Sequence, residues 1–252
     1  MPDGRRRRVL VLSGWSPGPL DVLRSRCPDV DFLEPSIPMP PAGCRWCLNP
    51  FCLLLLVVLF WLTPEAASNE DLVAEVDGSF AWLVRLALLL AVPVLLRLVV
   101  AGLVWFAIKD GVWTTSRAIR DFQPDVLLAF SWGGGVALWL LGERRWKGPT
   151  ILLAPTVNAM SWVSCCAVPR LLSPQPSAPI HVFHAENDGF CPASQVATLS
   201  AAGCDMHICD DSHVLLRRST VEEIHSCLKL LLALPSPSSS DSQMLGANDC
   251  WD

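Results

Sequence analysis

The chain has 252 residues, of which 52% are hydrophobic and 17% are charged, and its net charge is −5. This length suffices for one α/β domain with an insertion or for two small domains. The acidic balance, with no basic stripe interleaved with aromatic residues, excludes nucleic acid as a predicted partner. The apolar excess is local, because it lies mainly in residues 51–62 and 80–108.

The 11 cysteines are odd in number and scattered through apolar and loop segments. Residues 5–8 are all Arg, as at the start of a signal peptide, but the apolar run at 9–12 is too short for one. We therefore expect reduced, mostly buried thiols in a domain that faces the cytosol. Cys44 and Cys47 form a CxxC without a second CxxC or a His pair at metal-ligand spacing, so we expect no metal site.

The first 43 residues predict the start of an α/β domain. Residues 8–13 (RVLVLS) have the pattern of a buried strand, and a Gly/Pro-containing loop follows at 14–19. A short helix at 21–26 and a strand at 30–33 come next. The loop at 34–43 carries four prolines and is expected to be extended.

Residues 44–109 depart from this pattern and predict a hydrophobic helical insertion. Residues 51–62 are apolar without a charge, 63–79 form an acidic connector, and 80–108 are apolar apart from Arg85, Pro93 and Arg97. A membrane-spanning helix needs about 20 apolar residues, so the second segment is long enough and the first is marginal. Three interpretations stay open: a hairpin through the bilayer, a hairpin dipped into one leaflet or a lipid droplet, and a helical lid.

The charges around the two apolar segments favour membrane association. Basic residues precede 51–62 and follow 80–108, whereas the acidic connector contains no Lys or Arg. By the positive-inside rule, both ends of the insertion and the flanking domain face the cytosol.

The remainder of the chain alternates strands with helices, which predicts a mainly parallel sheet. A soluble helix at 110–122 leads to a buried strand at 126–130 and an apolar helix at 136–141. The later predicted strands are 150–154, 180–184 and 206–209, and the later predicted helices are 161–172, 194–202 and 219–234. Residues 235–252 are rich in Ser and Pro and are expected to be disordered.

Ser131 lies where the strand 126–130 meets three consecutive glycines, 133–135. A sharp turn from strand to helix exposes the side chain at the turn and aims the first N–H groups of the helix at a ligand. Residues 129–133 (AFSWG) resemble the G-x-S-x-G nucleophile elbow of the α/β-hydrolases, with Ala129 in place of the first Gly. On these five residues alone, a Gly-rich loop with a solvated Ser is the alternative.

Two further segments carry the same resemblance. Residues 184–192 (HAENDGFCP) are similar to the family's H-G-x-x-D-x-x-V-P, which matches Asp188 to the acid, and residues 210–213 (DDSH) are similar to its D-x-x-H, which matches His213 to the base. Each follows a predicted strand, in the family's order Ser, acid, His. Glu186 is an alternative acid if the loop register differs, and Asp210 or Asp211 if the topology differs.

The resemblance to the α/β-hydrolase superfamily covers residues 5–43 and 110–234, with 44–109 inserted. It implies an α/β fold with helices on a mainly parallel sheet, and an esterase, thioesterase or lipase-like activity. Ser131, Asp188 and His213 would form the triad of an acyl-enzyme mechanism that needs no metal or cofactor. The backbone N–H groups of Trp132 and Trp15 would form the oxyanion hole.

Two functions follow from these observations. The first is a membrane-associated serine hydrolase that acts on a small-molecule or lipid-like acyl ester or thioester. The alternative is a catalytically degenerate hydrolase-fold protein that serves as a membrane-anchored binding or scaffolding module. Three residues depart from the family's motifs and give weight to the second: Ser13 stands in place of His, and Ala129 and Ala185 each stand in place of Gly. A separation of Ser131 and His213 beyond hydrogen-bond reach would contradict the first.

Overall fold

The computed structural model describes residues 5–39, 78–168 and 178–234. The chain divides into a larger unit, Met1–Met39 with Phe106–Asp252, and a smaller unit, Pro40–Trp105. The apolar segment 51–62, the CxxC of Cys44 and Cys47, and the tail 235–252 lie outside the described residues. The limits of 44–109 for the insertion and 110–234 for the second part of the domain stay predictions.

The described part of the larger unit contains a six-stranded sheet in which every neighbouring pair is parallel. Its strands are β1 (Arg7–Leu12), β2 (Val30–Leu33), β3 (Val126–Phe130), β4 (Thr150–Leu153), β5 (Ile180–Ala185) and β6 (Asp205–Cys209). They lie in the order β2-β1-β3-β4-β5-β6. The predicted parallel sheet is therefore confirmed.

The helices of the described residues are α1 (Leu20–Arg26), α2 (Gly78–Phe122), α3 (Trp132–Gly142), α4 (Val157–Ser164), α5 (Ala193–Ala201) and α6 (Arg218–Ala233). Side chains of α1 and α6 join one core with alternate residues of the central strands, such as Val126, Leu128 and Phe130. The other residues of these strands point to the opposite face, where α3 packs against β1, β3 and β4. β3 and β4 are buried along their whole length, and their sequences are apolar apart from Thr150 at the start of β4.

Two helices after β3 start four residues earlier than predicted. The helix predicted at 161–172 starts at Val157, directly after the loop that ends β4, and ends before Cys165, whose φ of 56° is left-handed. The helix predicted at 136–141 starts already at Trp132, so the three glycines form its first turn. Glycine is a poor helix former, so tertiary packing rather than intrinsic propensity sets this start.

The predicted apolar segment 80–108 and the predicted helix 110–122 belong to one helix, α2. The change from apolar to charged residues near Lys109 alters the surface of this helix without breaking its backbone. Where its side chains are described in the smaller unit, α2 exposes a row of large apolar residues: Val94, Leu95, Leu98, Val99, Leu103 and Trp105.

Among the described residues, no helix combines the length and the apolar character that a membrane span requires.

The first turn of α3 packs directly on strand β1. A Cβ atom at Gly133 would lie 2.3 Å from the carbonyl oxygen of Leu12, a distance that real Cβ atoms do not tolerate. A Cβ atom at Gly134 would lie 3.0 Å from the Cα of Pro155, which follows β4. Glycine at both positions therefore lets α3 approach the sheet closely enough to cover its buried face.

We predict that Gly133→Ala lowers the free energy of unfolding by about 3 kcal/mol, because the new methyl group meets backbone that cannot move aside. Urea unfolding, followed by circular dichroism, measures the change. The matched control is Gly102→Ala in α2, where no atom of the described residues lies within 4 Å of the new Cβ. This control should be neutral or should stabilise by about 0.5–1 kcal/mol. Equal midpoints for Gly133→Ala and the wild type would contradict the proposed packing.

Candidate active site

Ser131 sits at the junction of β3 and α3 in a strained backbone conformation. Its φ of 52° and ψ of −115° lie outside the regions that L-residues favour. Backbone hydrogen bonds hold this geometry, because the Ser131 N–H donates to the Leu153 carbonyl at 2.9 Å and its own carbonyl accepts from the N–H of Thr156 at 3.2 Å. Strain retained in this way is typical of functional turns.

The loop after β1 lies directly against Ser131. A Cβ atom at Gly14 would lie 2.7 Å from the Ser131 Cβ and 3.3 Å from the backbone nitrogen of Trp132. Only a residue without a side chain fits there. This contact brings the backbone around Gly14 and Trp15 beside the amino terminus of α3.

His213 contacts Ser131 from the loop that follows β6. The Ser131 Oγ and the His213 Nε2 are 2.9 Å apart, which is hydrogen-bond distance. The imidazole contacts two aromatic rings, with its centroid 5.6 Å from that of Phe130 and 4.9 Å from that of Phe190. These rings restrict the orientations that the imidazole can adopt.

Asp188 follows β5 and contacts the other side of the same imidazole. Its Oδ2 lies 2.7 Å from the His213 Nδ1, and its side chain is fully buried. Its Oδ1 accepts hydrogen bonds from the backbone N–H of Phe190 at 2.7 Å and of Cys191 at 3.2 Å. Burial raises the pKa of Asp188, but the hydrogen bonds from His213 and Phe190 outweigh it, so the pKa lies below its ordinary value.

The alternative acids have other positions. Asp211 is buried, and its carboxylate accepts from the backbone N–H of Ser212 at 2.7 Å and of Arg217 at 2.8 Å. It therefore shapes the loop that carries His213. The Asp210 carboxylate pairs with the Arg217 guanidinium, and Glu186 is exposed. Asp188 is the acid that the structure places on the His213 Nδ1.

Of the two tryptophans predicted for the oxyanion hole, Trp132 directly follows Ser131, and Trp15 directly follows Gly14, which contacts Ser131. Trp132 is the first residue of α3, so its N–H has no carbonyl partner within the helix. Its indole Nε1–H donates to the carbonyl of Pro38 at 3.1 Å, which ties the loop after β2 to the site. The rings of Trp15 and Trp132 are 6.0 Å apart, between centroids.

Sequence reasoning missed a set of contacts around the loop after β4. Gln195, buried on α5, donates through its Nε2 to the Pro155 carbonyl at 2.6 Å, and its Oε1 accepts from the Asn158 N–H at 3.2 Å. Thr156, beside Ser131, buries a hydroxyl that has no hydrogen-bond partner among the described residues. A lone Gln in a short amphipathic helix gives no sequence signal, because surface helices commonly carry one.

Cys191 also belongs to this environment. Its thiol contacts the Pro155 carbonyl at 3.1 Å, and its Sγ lies with the ring and carboxylate atoms of His213 and Asp188 in a group within 4.8 Å. Burial and the charge of Asp188 raise the pKa of the thiol, so it stays protonated and is a poor metal ligand. The site can accept the Ser131 proton on an imidazole that a buried carboxylate orients, which is the arrangement of acyl transfer.

No family model and no curated protein matches this sequence. Solved structures do match it. One belongs to a study of LipS and LipT, two metagenome-derived lipolytic enzymes, with a TM-score of 0.52, 13% identity, and coverage of 91% of this chain and 94% of the other. The ydeN gene product from B. subtilis matches with a TM-score of 0.51, 12% identity, and coverage of 90% and 100%. At such identities the likeness concerns the fold. Together with the parallel sheet and its flanking helices, it shows that the chain has the α/β-hydrolase fold that its sequence predicted.

Proposed function

We propose that this chain is a serine hydrolase that cleaves carboxylic esters or thioesters through Ser131, His213 and Asp188. The observation that carries the proposal is the pair of consecutive hydrogen-bond distances, 2.9 Å from Ser131 Oγ to His213 Nε2 and 2.7 Å from His213 Nδ1 to Asp188 Oδ2. A serine hydroxyl is a weak nucleophile by itself, and an oriented imidazole is what activates it. Solved lipolytic enzymes of the same fold are consistent with this chemistry.

In the first half of the reaction, the Ser131 Oγ attacks the carbonyl carbon while the His213 Nε2 takes its proton. The Asp188 carboxylate accepts a hydrogen bond from the Nδ1–H and stabilises the imidazolium that forms. His213 then donates the proton to the departing alkoxide or thiolate, and an acyl-enzyme remains. In the second half, His213 activates a water molecule that releases the acid and restores Ser131.

The negative charge that develops on the carbonyl oxygen needs hydrogen-bond donors that are already in place. In this proposal the backbone N–H groups of Trp132 and Trp15 supply them. The position of Trp132 at the start of α3 supports the first assignment. The contact of Gly14 with Ser131 supports the assignment of Trp15. Gly14 directly precedes Trp15, and its backbone lies beside the reacting hydroxyl.

We also propose that the apolar segments 51–62 and 80–108 attach the protein to a membrane, with the hydrolase domain on the cytosolic side. The support comes from the flanking charges and from the exposed apolar side chains of α2 between Val94 and Trp105. Contiguous exposed apolar surface of this kind is typical of membrane or protein contacts. An enzyme held at a bilayer would meet lipid-like acyl esters or thioesters as substrates.

We predict that a fluorophosphonate probe labels the full chain in detergent and that Ser131→Ala reduces the labelling to background. The reagent reacts only with an activated serine, so it tests the hydroxyl without knowledge of the substrate. The control Ser226→Ala removes an exposed hydroxyl on α6 and should label like the wild type. A folded wild type that does not label would instead favour the degenerate binding or scaffolding module.

We predict that Asp188→Asn lowers kcat by roughly 10⁴-fold on a chromogenic short-chain ester, because the amide cannot stabilise the imidazolium. The variant should keep its fold. A loss smaller than tenfold would show that Asp188 does not support His213.

The same variant should change how stability depends on pH. The pKa of Asp188 is lower in the folded state than in the unfolded state, where it is about 3.9. Its ionisation therefore stabilises the wild type above that value, and this contribution is lost as the pH falls through the lower folded pKa. Thermal unfolding between pH 7 and pH 3 should show a gap between wild type and Asp188→Asn that narrows in acid. A constant gap would contradict the lowered pKa.

We predict that the full chain floats with phosphatidylcholine liposomes and that the double change Leu98→Glu and Leu103→Glu weakens its partition about 100-fold or more. Each buried Leu contributes about 1.5–3 kcal/mol of apolar transfer free energy, and both leucines are exposed in the structure. Leu230→Glu, which places the same change on exposed α6, should float like the wild type. Flotation that the double change leaves intact would exclude this face of α2 as the contact.

A further inference from the structure

Two histidines and an aspartate meet on the last two strands of the sheet, away from Ser131. His181 on β5 pairs with Asp205 on β6, and His207 lies two residues after Asp205. Alternate residues of a strand share one face of a sheet, so the register places all three side chains on the same face. Helix α6 covers that face, and its Glu223 contacts the His207 Nδ1 at 2.8 Å.

The three nearest ligand atoms form an almost regular triangle. The His181 Nδ1 lies 3.1 Å from the Asp205 Oδ2 and 3.2 Å from the His207 Nε2, and the His207 Nε2 lies 3.7 Å from the Asp205 Oδ2. Ligands that bind a tetrahedral zinc ion at about 2.0–2.1 Å are about 3.4 Å from one another. The triangle therefore has the size of one face of a tetrahedral metal site.

The contacts of this cluster bring three possible ligand atoms to one point. The His207 Nδ1 contacts Glu223, so the Nε2 on the other side of the ring faces the His181 Nδ1 and the Asp205 Oδ2. An imidazole nitrogen without a proton and a carboxylate oxygen both carry lone pairs that can bind a cation. A cation at the centre would be bound by all three atoms.

The surroundings also fix the orientation of the His207 ring. The Phe183 ring stacks on it at 4.3 Å between centroids, with 12° between the planes. A histidine that donates its second N–H to a carboxylate is the usual arrangement around protein-bound metals, because that bond sets the tautomer and raises the basicity of the ligating nitrogen. Asp205 is two-thirds exposed, so an ion can enter from solvent.

We propose that His181 Nδ1, His207 Nε2 and Asp205 Oδ2 bind a divalent first-row transition-metal ion, with water as the fourth ligand and Glu223 as the carboxylate that orients His207. Two imidazole nitrogens and one carboxylate suit Zn²⁺ and its neighbours, whereas Mg²⁺ and Ca²⁺ prefer oxygen ligands throughout. This assignment differs from the expectation of no metal site, which was drawn from the cysteines.

The ion would hold the sheet together rather than take part in acyl transfer. His181 lies four residues before the carboxyl end of β5, about 13 Å along the strand, whereas Asp188 follows that end. The ion instead joins β5 to the neighbouring strand β6 and, through Glu223, to α6. The loop with His213 connects β6 to α6, so the ion stabilises the frame of this loop. The proposal holds whether or not Ser131 is a nucleophile.

Titration of the chelator-stripped full chain in detergent with Co²⁺ and Zn²⁺ tests the site. We expect one tightly bound Co²⁺ per chain, with the visible absorption of a tetrahedral site and without the near-ultraviolet band of a thiolate ligand. His207→Asn and His181→Asn should weaken binding at least 100-fold, and Glu223→Ala by about 10- to 100-fold. Added Zn²⁺ should raise the melting temperature of the wild type but not of His207→Asn.

The control His213→Asn removes an imidazole from the other group of ligating side chains in the described residues, that of Asp188, Cys191 and His213. It should bind Co²⁺ like the wild type. The proposal is wrong if the folded wild type binds no ion, or if binding survives His207→Asn and is lost in His213→Asn. A thiolate band would likewise assign the ion to cysteines and overturn the proposal.

Discussion

The close packing of α3 on β1 is the constraint on which the geometry around Ser131 depends. Gly133 packs against the carbonyl of Leu12 so closely that no Cβ atom fits between them. This contact therefore sets the distance between the helix and the sheet. The chain must then turn within one residue from β3 into α3, so Ser131 takes a positive φ. Its hydrogen bonds to Leu153 and Thr156 offset part of the strain by tying the turn to β4 and to the loop after it. The turn is thus held by its neighbours on both sides, and the hydroxyl has a defined position toward His213.

Two buried aspartates in this domain show how the partner decides the role of a carboxylate. Asp125, just before β3, contacts the guanidinium groups of Arg5 and Arg7 and accepts from the backbone N–H of Arg8 at 2.8 Å. Arginine stays charged at every accessible pH, so this group ties β1 to β3 permanently. Asp188 is equally buried, but its partner is an imidazole, which can gain and lose a proton. A titratable partner is what makes a buried carboxylate useful for proton transfer.

The sequence predicted those features that depend on one segment at a time. β3, and β4 after Thr150, are continuously apolar because both faces are buried, and this pattern is visible without a structure. The residues Ser131, Asp188 and His213 each follow a strand, and parallel strands bring their carboxyl ends to one edge of the sheet. That common edge, together with the resemblance of residues 129–133, 184–192 and 210–213 to family motifs, allowed the three side chains to be predicted near one another.

Features that depend on contacts between distant segments escaped prediction. The start of α3 at Trp132 contradicts the helix propensity of glycine, and only the packing on Leu12 explains it. The buried Gln195 reaches Pro155 from 40 residues away, so no local motif contains both. The predicted helix at 161–172 was displaced because the end of β4, rather than hydrophobic periodicity, sets where α4 begins. Sequence patterns indicate which residues are buried, but they do not indicate which distant segment packs against them.

The pairing of β5 with β6 connects the two groups of polar side chains described above. β5 starts with Ile180 and His181 and is followed by Asp188, while β6 contains Asp205 and His207 and is followed by His213. A one-residue shift of β6 along β5 would turn the side chains of β6 to the opposite face, so it would separate His181 from Asp205. It would also displace the loop of His213 by about 3.3 Å along the strand direction, which exceeds the tolerance of a hydrogen bond to Asp188. One register therefore sets both the cluster at the amino ends of these strands and the Asp188–His213 contact beyond their carboxyl ends.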